Sequence, residues 1–111
     1  LDLEAQTKQA HWNVKGSNFI ALHELFDKIH DSVEEHVDTI AERVVSLGGT
    51  AFGPVGVVAK TSELPSYPLK ITSGGDHLAA LATALAALSF GAKPWRVAIP
   101  ILSFPSSAKQ S

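Results

Sequence analysis

Residues 18–47 form a thirty-residue run without proline or glycine. Within it Leu22, Leu25, Phe26, Ile29, Val33, Val37, Ile40, Val44 and Leu47 recur at steps of three and four, the period of a helix with one apolar face. Ser17 and Asn18 are candidate N-caps, and Gly48-Gly49 supply a stop. A helix this long cannot bury its stripe alone, so other helices must lie along it. The fold class expected is all-α.

Four side chains that ligate metals are spaced symmetrically on this helix. His23 to Asp27 is an i,i+4 step, and so is Asp38 to Glu42, so each pair shares a face. The pairs lie roughly 16 Å apart at about 1.5 Å per residue, too far for one ion on one helix. A two-fold axis between Ser32 and Val33, acting on an antiparallel copy, sets His23 opposite Glu42 and Asp27 opposite Asp38. Two identical sites of His, Asp, Asp and Glu then form between subunits.

His11 adds to this set. It precedes His23 by twelve residues, with Lys15-Gly16-Ser17-Asn18 as a turn signal between them. If residues 3–13 are helical, the two segments make a helical hairpin folded about position 17. Residues 11 and 23 are equidistant from that fold. The candidate ligands become His11, His23 and Asp27 from one chain with Asp38 and Glu42 from its partner. A blander reading stands beside this: the same residues suit a solvated helix face shared with Glu24, Asp31, Glu34 and Glu35. Spacing excludes neither His30 nor His36 as a ligand.

The literal strings carry a resemblance. His11-Trp12-Asn13-Val14-Lys15-Gly16, Asn18-Phe19, Leu22-His23, Leu25-Phe26-Asp27, Asp38-Thr39-Ile40-Ala41-Glu42-Arg43 and Leu47-Gly48-Gly49 closely resemble the Dps family, the DNA-protection-during-starvation miniferritins. Leu64-Pro65-Ser66-Tyr67-Pro68-Leu69 and Asp76-His77-Leu78 resemble that family's linker and the start of its third helix. The resemblance covers residues 1–88 and leaves 89–111 as an unmatched tail of a single domain fragment. It implies a ferritin-like four-helix bundle and an intersubunit ferroxidase centre on His11, His23, Asp27, Asp38 and Glu42. It further implies that Fe(II) is oxidised with hydrogen peroxide or oxygen and stored as Fe(III) mineral. The implied assembly is a twelve-subunit homo-oligomer, cytoplasmic and nucleoid-associated, and the ferroxidase activity is that of the full-length parent. Mixed imidazole and carboxylate donors with open positions suit ferrous iron. Trp12 resembles the tryptophan beside that centre, a candidate electron donor; its other reading is an apolar anchor ending the first helix.

Charge is unevenly distributed. Residues 1–50 hold nine Asp or Glu against four Lys or Arg, and residues 51–111 hold two against five. Acidity therefore gathers around the candidate site. The cations form no run, so contact with DNA, which needs clustered cations to neutralise phosphates, has weak support. Cysteine is absent, which removes disulfides and thiolate ligands. Residues 78–90 are too short to span a membrane, and no signal peptide is read at the start.

A Gly/Pro-rich linker with a short helical turn is expected over 48–75. Next comes a third helix capped by Asp76, with Leu78, Leu81, Leu85 and Leu88 as its stripe. After Ser89 the pattern stops. Pro94, Pro100 and Pro105 break any long helix, so the bundle's fourth helix is expected to be missing. The chain starts at leucine and has no methionine, which together with the tail suggests an incomplete product with a reading-frame change. Two other readings compete: a nucleoid-binding module with a vestigial metal site, and a structural helical protein without chemistry.

Overall fold

The computed structural model describes residues 1–90 and 101–103, with side chains through residue 88. Helix α1 spans Asp2–Asn13 and α2 spans Phe19–Ser46, the arms of the expected hairpin. The chain turns at Gly16, whose φ of 118° is a backbone conformation that side chains disfavour. Asn18 holds the N-cap position of α2 but makes no side-chain cap bond. The turn does that work instead, because the Phe19 N–H donates to the Gly16 carbonyl at 3.1 Å. At the other end Gly48, with φ of 92°, stops the helix as expected. Its N–H donates to the Val45 carbonyl at 3.0 Å, and the Gly49 N–H to the Val44 carbonyl at 2.9 Å, which together make a Schellman motif.

The linker holds strand β1, Thr50–Phe52, and the expected short helix, α3, Val55–Thr61. Strand β1 pairs antiparallel with β2, Ile101–Ser103, with Thr50 opposite Ser103 and Phe52 opposite Ile101. This short ribbon is an addition to an otherwise helical fold. The expected loss of the fourth helix and the frame change concern chiefly residues 91–100 and 104–111, which lie outside the described residues.

Helix α4, Gly74–Phe90, is the third long helix. Its cap is Ser73 rather than Asp76: the Ser73 Oγ accepts the Asp76 N–H at 3.1 Å. Asp76 sits three residues inside, where its charge favours a helix start. The buried stripe also differs from expectation. Leu78 and Leu85 are exposed, and His77, Leu81 and Ala84 are buried. The helix is turned so that small Ala84 packs with Leu3 and Leu64, while Leu81 joins Ala10, Val14 and Phe26. On an alanine-rich rod either face is apolar enough, and the fit to α1 decides between them. Phe26, with no exposed surface, is the largest side chain in this core.

Candidate metal centre

Packing α1 on α2 stacks His11 on His23, with ring centroids 3.7 Å apart and planes 18° from parallel. His11 Nδ1 lies 2.5 Å from the His23 carbonyl oxygen, and His23 Nδ1 lies 2.7 Å from the His11 carbonyl oxygen. A carbonyl only accepts, so both Nδ1 atoms carry a proton, and in the neutral rings both Nε2 atoms keep a lone pair. That is the tautomer a histidine needs to bind a cation through Nε2, its other nitrogen held by a backbone carbonyl. Phe19 extends the stack, its ring centroid 5.0 Å from that of His23.

Asp27 lies beside His11. Its Oδ1 is 4.0 Å from His11 Nε2, a gap that one cation with bonds of about 2.0–2.2 Å can span. The same oxygen is 2.5 Å from Lys8 Nζ. The Lys8 hydrogen bond holds the Asp27 carboxyl below its usual range; partial desolvation opposes this, and the charges of Lys8, His11 and His30 reinforce it. Lys8 thus puts a positive charge where a metal cation would sit, and an incoming ion has to displace it.

Asp38 and Glu42 are exposed on α2, about 16 and 22 Å beyond Asp27 along the helix axis. One chain therefore brings His11 to His23 and to Asp27, although the donor atoms of these three do not all fall within 4.8 Å of one another, and it leaves Asp38 and Glu42 apart from them. Trp12 is 67% exposed, so it does not serve as an apolar anchor within the chain. His36 is exposed, with Nδ1 2.7 Å from the Ser32 carbonyl of its own helix. His30 differs, because it is largely covered and surrounded by carboxylates.

Sequence reading did not find Lys8, or the contact between Glu4 and His30. A signal existed: Glu4 and His30 each lie 13 residues from position 17, as His11 and His23 each lie 6. It also missed the role of His77. That ring is 1% exposed, its Nδ1 sits 2.6 Å from the Tyr67 hydroxyl, and it packs at a tilt on Phe26. Burial pushes the Tyr67 hydroxyl up to about 12. Burial also lowers the His77 pKa, against the opposing pull of the Ile71 carbonyl, the Asp76 charge and the Asn13 carbonyl. Nε2 of His77 is buried with no partner at hydrogen-bonding geometry.

Residues 1–90 match the ferritin-like domain family. The chain belongs to the ferritin-like family. A DNA protection during starvation protein of Agrobacterium fabrum is 54% identical over 81 residues, covering 73% of this chain and 50% of the relative. A protein of the same name from Brevibacillus brevis is 39% identical over 75 residues, covering 68% of this chain and 47% of the relative. The fine tangled pili major subunit of Haemophilus ducreyi is 45% identical over 71 residues, covering 64% and 38%. The chain spans about half the length, or less, of these curated relatives. The ferritin-like assignment agrees with the helical architecture and with the resemblance read from the sequence. Among the described residues no helix is long and apolar enough to cross a membrane.

Proposed function

We propose that this ferritin-like chain is part of a Dps-type miniferritin that binds Fe(II) at an intersubunit centre, oxidises it and stores the ferric product. The observation that carries the proposal is the locked pair of imidazoles. Two stacked rings, each with Nδ1 held by the other's backbone carbonyl, leave both Nε2 atoms available, that of His11 4.0 Å from the Asp27 carboxylate. A solvated helix face has no need of that arrangement. Asp38 and Glu42 of a two-fold mate supply the remaining carboxylates in this reading, since they lie too far along α2 to serve their own chain.

The substrate is Fe(II), and the protein supplies donors and electrostatics. Two Fe(II) ions each release one electron to hydrogen peroxide. The O–O bond breaks, two protons are taken up, and two water molecules leave. Hard carboxylate oxygens favour the higher ferric charge, so the donor set pulls the oxidation forward. In this reading Trp12, exposed and next to His11 in the chain, gives an electron to a reactive by-product. Removing Fe(II) together with peroxide prevents hydroxyl-radical formation and protects DNA chemically. In this account no basic surface is needed for that protection, and DNA contact is not part of it. The names of the relatives at 39% and 54% identity support the protective role.

Peroxide-driven loss of Fe(II) tests the proposal. His11→Ala and His23→Ala should each slow oxidation by roughly tenfold or more. His36→Ala, which alters an exposed ring bonded to its own helix, should leave the rate within twofold. Equal rates in all three variants would remove the imidazole pair from the chemistry.

A further inference from the structure

A second cluster of donors lies beside the imidazole pair, on the same hairpin. His30 from α2 faces Glu4 from α1, with Nε2 3.6 Å from Glu4 Oε2. Glu34, one helical turn on, places Oε2 4.0 Å from His30 Nδ1. One donor atom from each of Glu4, His30 and Glu34 falls within 4.8 Å of the other two. The His30 side chain is 13% exposed and that of Glu4 20%, so α1 and α2 hold these two in place, while Glu34 at 63% is free to swing. The same imidazole also forms a triad with Asp27 and Asp31 at the same spacing. His30 therefore stands between the carboxylate of the proposed oxidation centre and a separate carboxylate pair.

That pair opens onto a concavity of about 870 Å³, lined by Glu4, Asp31, Glu34, Glu35 and Asp38 and by no lysine or arginine among the described residues. The side chains that hold a compact site come from two helices, so it needs the hairpin but no second subunit.

We propose that Glu4, His30 and Glu34 form a second divalent-metal site, which takes up a first-row transition cation at the mouth of the acidic concavity, next to Asp27. One imidazole with two carboxylates favours Fe(II), Mn(II), Co(II) or Zn(II) over Mg(II) and Ca(II), whose preferred donors are all oxygen. The i,i+4 spacing of His30 and Glu34 puts both donors on one face, and Glu4 closes the set from across the hairpin. The site is a holding position for cargo, and cations stay within one side chain's reach of Asp27. It is complete in one chain, so it stands or falls independently of the two-fold centre.

The test uses the 111-residue chain with Co(II) and Zn(II) as probes. Co(II) binding is followed by calorimetry and visible absorption. Protection of His30 from diethylpyrocarbonate by Zn(II) is followed by peptide mass spectrometry. Far-UV circular dichroism checks that each variant keeps its helices. The double variant Glu4→Gln, Glu34→Gln should weaken Co(II) binding at this site by about tenfold or more and abolish protection of His30. The double variant His11→Ala, His23→Ala should leave protection of His30 intact. Failure of that second variant to lose any metal would contradict the proposed oxidation centre and leave this site standing. If the carboxamide variant loses its helices, the unmodified chain decides: protection of His30 by Zn(II) but not by Mg(II) supports the site. Unprotected His30, or protection and affinity unchanged in the folded carboxamide variant, overturns it.

Discussion

Replacing Phe26 with alanine should do more damage than any other single substitution in the hairpin. Its ring has no exposed surface and packs with Ala10, Val14 and Leu81, with Leu22 and Ile29 beside it on its own helix. A phenylalanine of this kind buries about 150–250 Å², and at about 25 cal/mol per Å² that is roughly 4–6 kcal/mol of burial. Truncations of this type cost about 3–5 kcal/mol once relaxation around the cavity is included. For a domain whose whole stability is about 5–15 kcal/mol, that removes a large share. At roughly 4–8 °C per kcal/mol, the melting temperature should fall by about 12 °C or more. Ala10 and Val14 flank His11, so the stacking of His11 on His23 should loosen at the same time. Thermal melts followed by circular dichroism at matched protein concentration provide the assay, with Ile20→Ala as the control. Ile20 is 62% exposed, and its loss should change stability by no more than about 0.5 kcal/mol. Equal shifts for the two variants would refute a core organised around Phe26.

Acidification should destabilise the chain through His77. Burial lowers the pKa of the folded ring below its ordinary value, so its contribution is fully present above about pH 6.5 and is lost as pH falls from there through the lowered folded value. Melting temperatures measured between pH 7.5 and 5 should therefore fall for the parent chain and fall less for His77→Phe. Ser73→Ala removes the side-chain cap of α4 and should cost about 1 kcal/mol in a urea melt; no change would mean that the Ser73 to Asp76 bond contributes nothing. Lys8→Met frees the Asp27 carboxylate from its cation and should strengthen Fe(II) binding several-fold in calorimetry, whereas weaker binding would show that Lys8 helps to build the site.

The hairpin was legible because its signals are local. Gly16 and Gly48 each take a positive φ where a turn or a stop requires it, and the three- and four-residue spacing from Leu22 to Val44 has one helical interpretation. The pairing of His11 with His23 followed from equal distances to the turn. The same rule applied to Glu4 and His30 would have found the second cluster, but those residues read as ordinary members of a charged face. The rotation of α4 was not legible. Alanine-rich helices present several faces of similar apolarity, and the choice that buries Ala84 rests on a close approach to Leu3. His77 was hidden for another reason. A buried polar ring breaks the apolar period, and its partner, the Tyr67 hydroxyl, comes from the linker. Asp38 and Glu42 carry no local sign of what faces them, because in this account their partners belong to another chain.

Subunit complementation tests the intersubunit centre most directly. In a full-length parent with the proposed centre, Asp27→Ala would remove a ligand contributed by one chain and Glu42→Ala one contributed by its mate, so each homodimer would lose both sites. In a mixed dimer both lesions fall in one site and the other is intact. Peroxide-driven Fe(II) oxidation, measured after subunit exchange verified by mass spectrometry, should recover part of the unmodified rate. Two inactive variants that remain inactive after complete exchange would contradict a centre shared across the two-fold axis.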